Sequence, residues 1–431
     1  MKKSVYSIVM AVCLIGALPA QAQDHATPDE EAVWVARLGL PAAAPTREVI
    51  AALPPVRAAQ ALIEQAQARA RALQAGAYEW NLRVGAQERN ENTGTRYIEN
   101  EVALERSLRW GGKAETDRRL GESGVMAART AWADQWHEAV RGLLQLWYEW
   151  QRARSTVRVQ QGQVTLAQEQ LAIAARRVRA GDVPRIDELM AQAEYDRMQA
   201  QLQHAQGLQA ELQAELNRRY PGLLPADGQA ASGSEAQQIA LPGSAPQWVQ
   251  RILDANHEIE LAEAQMELAR LRSERAGLER RGDPLLGVRA ARERGGAENI
   301  VGIYLGIPLT GSYRQAEQQV ALAELAAAEQ RLQQTRQRVQ ATAERTVLRA
   351  QHTLATWQRL ASVEEAMAHV ARLGMKAYSL GEMTLTEALQ ARRTALEAAL
   401  AAEAARWDAL EAASRVLVDA HRLWAADDGS H

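Results

Sequence analysis

The sequence predicts a mainly α-helical chain of long antiparallel coiled-coil helices, carrying a small amount of alternating β-structure of the membrane-barrel type. Three observations predict it. Ala114 to Arg179 and Ala316 to Ser379 lack proline and keep apolar residues at helical spacing. Each ends in a similar turn, AGDVPRIDELMA from Ala180 and LGEMTLTEALQA from Leu380, with a Gly, an acid directly after it and a second acid six residues past it. Upstream of each stretch the apolar period changes from about 3.6 to 2.

Taken in chain order, the first element is a secretory signal over residues 1–22. Lys2 and Lys3 form a basic start, Val5 to Leu18 a short apolar run, and Ala20-Gln-Ala22 a small-residue cleavage site. The only cysteine, Cys13, lies inside it and follows Val12 rather than a small residue, so the processed chain is expected to carry neither disulfide nor lipid anchor. Residues 23–57 form an N-terminal segment with no assigned role.

A first structural repeat is expected over 58–225. In AYEWNLRVGAQ, Tyr78, Trp80, Leu82, Val84 and Ala86 alternate with Glu79, Asn81, Arg83, Gly85 and Gln87. In IENEVALERSL, Ile98, Val102, Leu104 and Leu108 oppose Glu99, Glu101, Glu105 and Ser107, and the polar RNENTGTR between the two runs makes a hairpin. The rod that follows keeps Val157, Val164, Leu171 and Val178 seven apart, with Ala167 and Ala174 as small companions. At about 1.5 Å per residue it is on the order of 100 Å long. Gly181 then turns the chain into a returning helix, Leu189 to Tyr220.

Residues 226–247, rich in Gly, Pro, Ser and Ala, read as a linker. The second repeat, 248–424, restates the plan. PLLGVRAARE and IVGIYLGIPL flank RGGAEN as a second hairpin, with Val301, Ile303, Leu305, Ile307 and Leu309 on one side. Leu325, Leu332 and Val339 keep heptad register, and Gly381 turns into the helix Leu389 to Trp424, before a tail at 425–431. Two readings of the hairpins stand at this level: strands of a barrel in lipid, or a small antiparallel sheet covered by helices. Four strands leave open edges that lipid does not tolerate, so a barrel requires several copies.

Composition narrows the function. Phe is absent, and a large globular core is not expected. Without the signal, 48 basic side chains face 53 acidic ones, a net charge of −5 that argues against a nucleic-acid partner. No stretch is apolar enough for a transmembrane helix. Nucleophile motifs, phosphate loops and glycine fingerprints are missing, so no enzyme is expected. The histidines never fall at metal-ligand spacing, and neither a metal nor another cofactor is expected.

With these motifs in hand, the chain resembles the TolC-like outer membrane factor family. SLRWGGKAE and IPLTGSYRQAE close the hairpins, VRAGDVPRIDELMAQ and AYSLGEMTLTEALQA make the turns, and the order of elements is given twice. ANHEIELAEAQMELARLRSERAG followed by DPLLGVRAARERGG is most similar to the cobalt-zinc-cadmium cation efflux branch. The resemblance implies a homotrimer in the outer membrane of a Gram-negative bacterium, with a twelve-stranded barrel and a helical tunnel in the periplasm. Its implied role is a passive duct for heavy-metal cations, served by a periplasmic adaptor and an inner membrane pump of the resistance-nodulation-division type. A drug or type I protein secretion duct is the alternative within transport, and a periplasmic coiled-coil scaffold the rival from another class.

The resemblance also assigns residues. Ala180, Gly181 and Asp182, with Leu380, Gly381 and Glu382, become adaptor-docking tips, although any helical hairpin favours a Gly at its end. Glu387 becomes the tripled acid of a periplasmic constriction, with Gln390 where relatives carry a second acid; a first-turn Glu that complements a helix N-terminus is the simpler alternative. Asp187 and Tyr378 become a gate latch whose usual Arg is replaced by Met383. Trp80, Leu82, Val84, Val301, Ile303 and Leu305 become the lipid-facing surface.

Overall fold

A computed structural model describes residues 27–224 and 239–426. The signal at 1–22 and most of the linker lie outside the described residues. Three helices open the described chain: α1 Pro28–Leu38, α2 Ala43–Ala52 and α3 Pro54–Ala75. Thr27 and Glu30 form a reciprocal capping box at α1, and Pro54 begins α3 where a missing N–H is harmless. There follow β1 Asn81–Asn90, β2 Arg96–Ser107, α4 Lys113–Ala180 and α5 Arg185–Arg219. After α6 Ala245–Asp254 the plan recurs as α7 His257–Glu279, β3 Leu285–Glu293, β4 Glu298–Gly306, α8 Ser312–Leu380 and α9 Leu385–Asp419.

The two rods, α4 and α8, organise everything else. α3 and α5 pack on α4, α7 and α9 pack on α8, and α4 also touches α7 and α9. None of the described helices is long and apolar enough to cross a membrane.

The strands form one antiparallel sheet in the order β1-β2-β3-β4, so the two hairpins join through β2 and β3. Leu82, Leu104, Val288 and Ile303 pair in register and make one row across all four strands, and Val84, Val102, Ala290 and Val301 make the next. Both strand starts and ends differ from the expected ones. Tyr78 leaves the ladder because its carbonyl accepts from Arg106 and its hydroxyl donates to Asp283, so β1 starts at Asn81. β4 stops at Gly306, short of Leu309.

Packing corrects the expectation that no large core forms. Midway along the rods, α1, α2, α6 and the residues after α9 wrap a waist that buries Trp136, Trp147, Trp150, Trp248, Trp407 and Trp424. Tyr148 donates to the Leu38 carbonyl (3.0 Å), and Trp147 donates to the Gly39 carbonyl (3.0 Å). Helix α9 ends at Asp419 rather than Trp424, and the strap 420–426 folds back on the core. The stretch read as linker also contributes, because Ile239 is buried in the waist and α6 begins inside that stretch.

The heptad seam is shifted as well. Val164, Ala167 and Ala174 are buried, whereas Val157, Leu171 and Val178 are only half-buried. Two long helices approach closely where the contact residues are small, so alanines take the centre of the seam and the larger side chains flank it.

Candidate functional site

Three places on the molecule carry chemistry beyond packing: the sheet, its junction with the rods, and the tips. The sheet is built inside out relative to a soluble protein. Leu82, Val84, Val301, Ile303 and Leu305 are between 60% and 85% exposed, and Trp80 is 62% exposed beside β1. The opposite face is polar and satisfied. Glu105, 5% exposed, accepts from Asn81 (2.9 Å), Arg83 (2.7 Å) and the Tyr304 hydroxyl. Glu99, 2% exposed, accepts from Gln87 (2.8 Å) and pairs with Arg89 (2.8 Å). Such a sheet buries these glutamates against paired arginines on one face and offers a contiguous apolar surface on the other, the reverse of what water favours. Its edges, β1 and β4, are unpaired.

At the junction Lys113, 1% exposed, follows the Gly111-Gly112 pair and reaches across to the second repeat. Its ammonium donates to Asp283 Oδ1 (2.8 Å), to the Arg281 carbonyl (2.8 Å) and to Glu279 Oε2 (3.3 Å). Asp117 sits beside it between Arg109 (3.0 Å) and Arg275 (2.6 Å). Buried charges persist when paired and fully hydrogen-bonded, and this knot meets that condition.

The tips are two copies of one turn. Gly181 at φ 77° donates to Val178 O (3.0 Å), and Asp182 donates to Arg177 O (2.9 Å). Gly381 at φ 81° repeats this with Tyr378 O (3.0 Å), and Glu382 with Ala377 O (2.9 Å). This double bond closes a helix through a left-handed residue, a conformation that a Cβ penalises. Ala180, Asp182, Leu380 and Glu382 are all exposed around it.

The residues expected at a constriction and latch behave differently from one another. Glu387 is exposed, and its carboxylate accepts from the Thr384 hydroxyl (2.7 Å) and N–H (2.9 Å) in a capping box that starts α9. Those bonds hold its carboxyl below the usual range in the protomer. Gln390 is exposed one turn further on. Tyr378, 1% exposed, is packed with Leu385, Ala388 and Leu389, and its hydroxyl has no hydrogen-bond partner of good geometry. Burial pushes the phenol up, and half-buried Asp187 beside it adds to the shift.

Sequence reasoning missed two arginines here. Arg177 of α4 donates to the Tyr378 carbonyl (2.7 Å) and lies 4.9 Å from the centre of its ring. It therefore holds the second tip from the first, close to where Met383 replaces the expected Arg. Arg392 of α9, 8% exposed, donates to Gln170 Oε1 (2.5 Å) and Leu166 O (3.1 Å) of α4. A basic residue in the last turn of a helix is common enough that Arg177 gave no signal. Among the described residues no three His, Cys, Asp or Glu side chains are arranged to hold a metal ion.

At the level of sequence no family model matches the chain, and no curated protein does either. Solved structures do match its shape. The CmeC outer membrane channel of Campylobacter jejuni is 14% identical with a TM-score of 0.74, over 100% of this chain and 95% of its own. The outer membrane protein VceC of Vibrio cholerae is 17% identical with a TM-score of 0.71, over 88% of this chain and 96% of its own. CusC, which forms a transmembrane channel, is 15% identical with a TM-score of 0.67, over 88% and 91%. The fold of this chain, helices and sheet together, is that of these outer membrane channels.

Proposed function

We propose that the chain is one protomer of a trimeric, passive outer membrane duct of the TolC-like kind, whose helical tunnel hangs into the periplasm of a Gram-negative cell. The observation that carries this reading is the inverted sheet: exposed apolar rows, a polar face closed on itself, and two open edges. Three such sheets joined edge to edge give twelve strands, leave no edge in lipid, and turn the polar faces to a lumen.

In this reading Ala180, Gly181, Asp182, Leu380, Gly381 and Glu382 dock a periplasmic adaptor, which links the duct to an inner membrane pump of the resistance-nodulation-division type. Glu387 lines the narrow end of the tunnel, since its capping role leaves the side chain exposed, and Gln390 leaves the ring with fewer charges. Asp187 and Tyr378 are the remaining parts of a gate. Heavy-metal cations are the proposed cargo on the resemblance to the cation efflux branch, with selection made by the pump.

Placing Arg at Leu82 or Ile303 tests the sheet. At a lipid-facing midplane position it costs about 2 to 4 kcal/mol and should reduce the trimer recovered from outer membranes in mild detergent. Arg at Asn81, beside Glu105, should be tolerated. A wild-type protein recovered as a soluble periplasmic monomer overturns the reading.

A further inference from the structure

Three histidines distant in sequence meet at the waist. His137 comes from α4, His257 from the start of α7, and His421 from the strap. Ring centres are 4.7 Å apart for His257 and His421, 5.3 Å for His137 and His421, and 6.4 Å for His137 and His257. With Trp132, Trp136 and Trp424 they line a cavity of about 40 Å³.

The strap they touch is under backbone strain. His421 and Trp424 have φ of 54° and 50°, in the left-handed region that side chains disfavour. Leu423 and Trp424 anchor the strap in the waist, and hydrogen bonds add to that hold. Trp136 Nε1 donates to Trp424 O (2.9 Å), Trp424 N donates to Glu31 (2.6 Å) of α1, and Arg47 of α2 donates to Ala425 O (3.0 Å).

We propose that the three-histidine cluster is an acid-sensitive clasp, which keeps the strap docked while the imidazoles are neutral and releases it when a second ring becomes charged. The surrounding charges decide how many protons fit. On α9, Asp419 accepts from His137 (3.2 Å), Arg141 (3.0 Å) and Arg415 (2.9 Å), so two guanidinium groups already share its charge. On α4, Asp134 and Glu138 lie near Arg141, and Glu138 pairs with it. On α7, Glu260 is 3.1 Å from His257 Nδ1, and Glu258 is 3.6 Å from Arg141. On the strap, Arg422 is 3.3 Å from Glu30 of α1, and Arg47 of α2 pairs with Glu31 (2.7 Å).

One added charge has a carboxylate to answer it, Glu260 beside the His257 ring (3.1 Å). A second charged ring in the cluster stands 4.7 to 6.4 Å from the first, in a pocket lined by indole rings, where repulsion is weakly screened. Burial pushes the His137 imidazole down, against the pull of Asp419. A histidine kept neutral by docking takes up its proton when released. Opening is therefore suppressed above about pH 6.5 and favoured progressively below it.

This inference does not depend on the duct reading. Amide hydrogen exchange of the full mature chain in mild detergent, corrected for intrinsic rates, tests it at pH 7.5 and 5.5. Protection across 420–426 should fall by about five- to tenfold at the lower pH, the upper figure being what one histidine kept wholly neutral by docking gives about one pH unit below 6.5, while the turns at Gly181 and Gly381 keep theirs. The loss should vanish in the triple variant His137→Gln, His257→Gln, His421→Gln. A wild type without the loss, or a triple variant that keeps it, overturns the clasp. Should the triple variant not assemble, indole emission of the wild type between pH 8 and 5 decides: a midpoint below about 6.5 supports the clasp and a flat curve refutes it.

Discussion

The waist and the tips lie on the same two rods and are held by different matter. Between Trp136 and Trp150, α4 packs indoles and Tyr148 against α9, whose Ser414 shares a hydrogen bond with that tyrosine (2.8 Å). Between Val164 and Val178 the same helix packs alanines and glutamines, with Ala174, Ala191 and Ala388 at the centre of the tip cluster. Each buried aromatic ring removes roughly 150 to 250 Å² from water, several times what an alanine offers. The rods are thus fastened in the middle and lightly joined at one end, which places the least costly opening at the tips.

The strongest way to break this contrast is to empty the waist. Trp136→Ala removes a buried ring and its bond to Trp424 O, and should destabilise the protein by about 3 to 5 kcal/mol in denaturant unfolding. A smaller change sharpens the contrast from the other side. Ala174→Leu, at a position with no exposed surface, overfills the seam and should cost about 1 to 3 kcal/mol. Its faster hydrogen exchange should be confined to the tips, and an equal rise at the waist would mean that the two regions open together. Smallest of all is Tyr378→Phe. Its hydroxyl makes no hydrogen bond of good geometry within the protomer, so stability should change by less than about 0.5 kcal/mol; a larger loss would point to a bond with Asp187.

What could be read from the sequence follows the range of its signals. The rods, the paired turns and the two hairpins are patterns within single stretches, and proline absence, heptads and period-two alternation report them directly. The waist was invisible because its tryptophans come from five separate places, 136–150, 248, 357, 407 and 424, and no one of them looks like a core. The histidines failed the spacing test for the same reason, since His137, His257 and His421 converge only after α4, α7 and the strap are packed. At the tips Gly181 and Gly381 were legible from local text. Arg392 was not, because a buried guanidinium answered by Gln170 and a helix carbonyl has no sequence signature.

The knot at Lys113 sets an order of events. Its ammonium lies among groups of residues 279 to 283, and β2 finds its neighbour only in β3, so neither can be completed from the first half of the chain. Until the second half emerges, that half carries a cation without these partners and an open strand side by side, both of which keep it dependent on water. Completion of the sheet is therefore timed by the end of the chain rather than its beginning, and a chain halted between the repeats should hold its first hairpin with the β2 side still open.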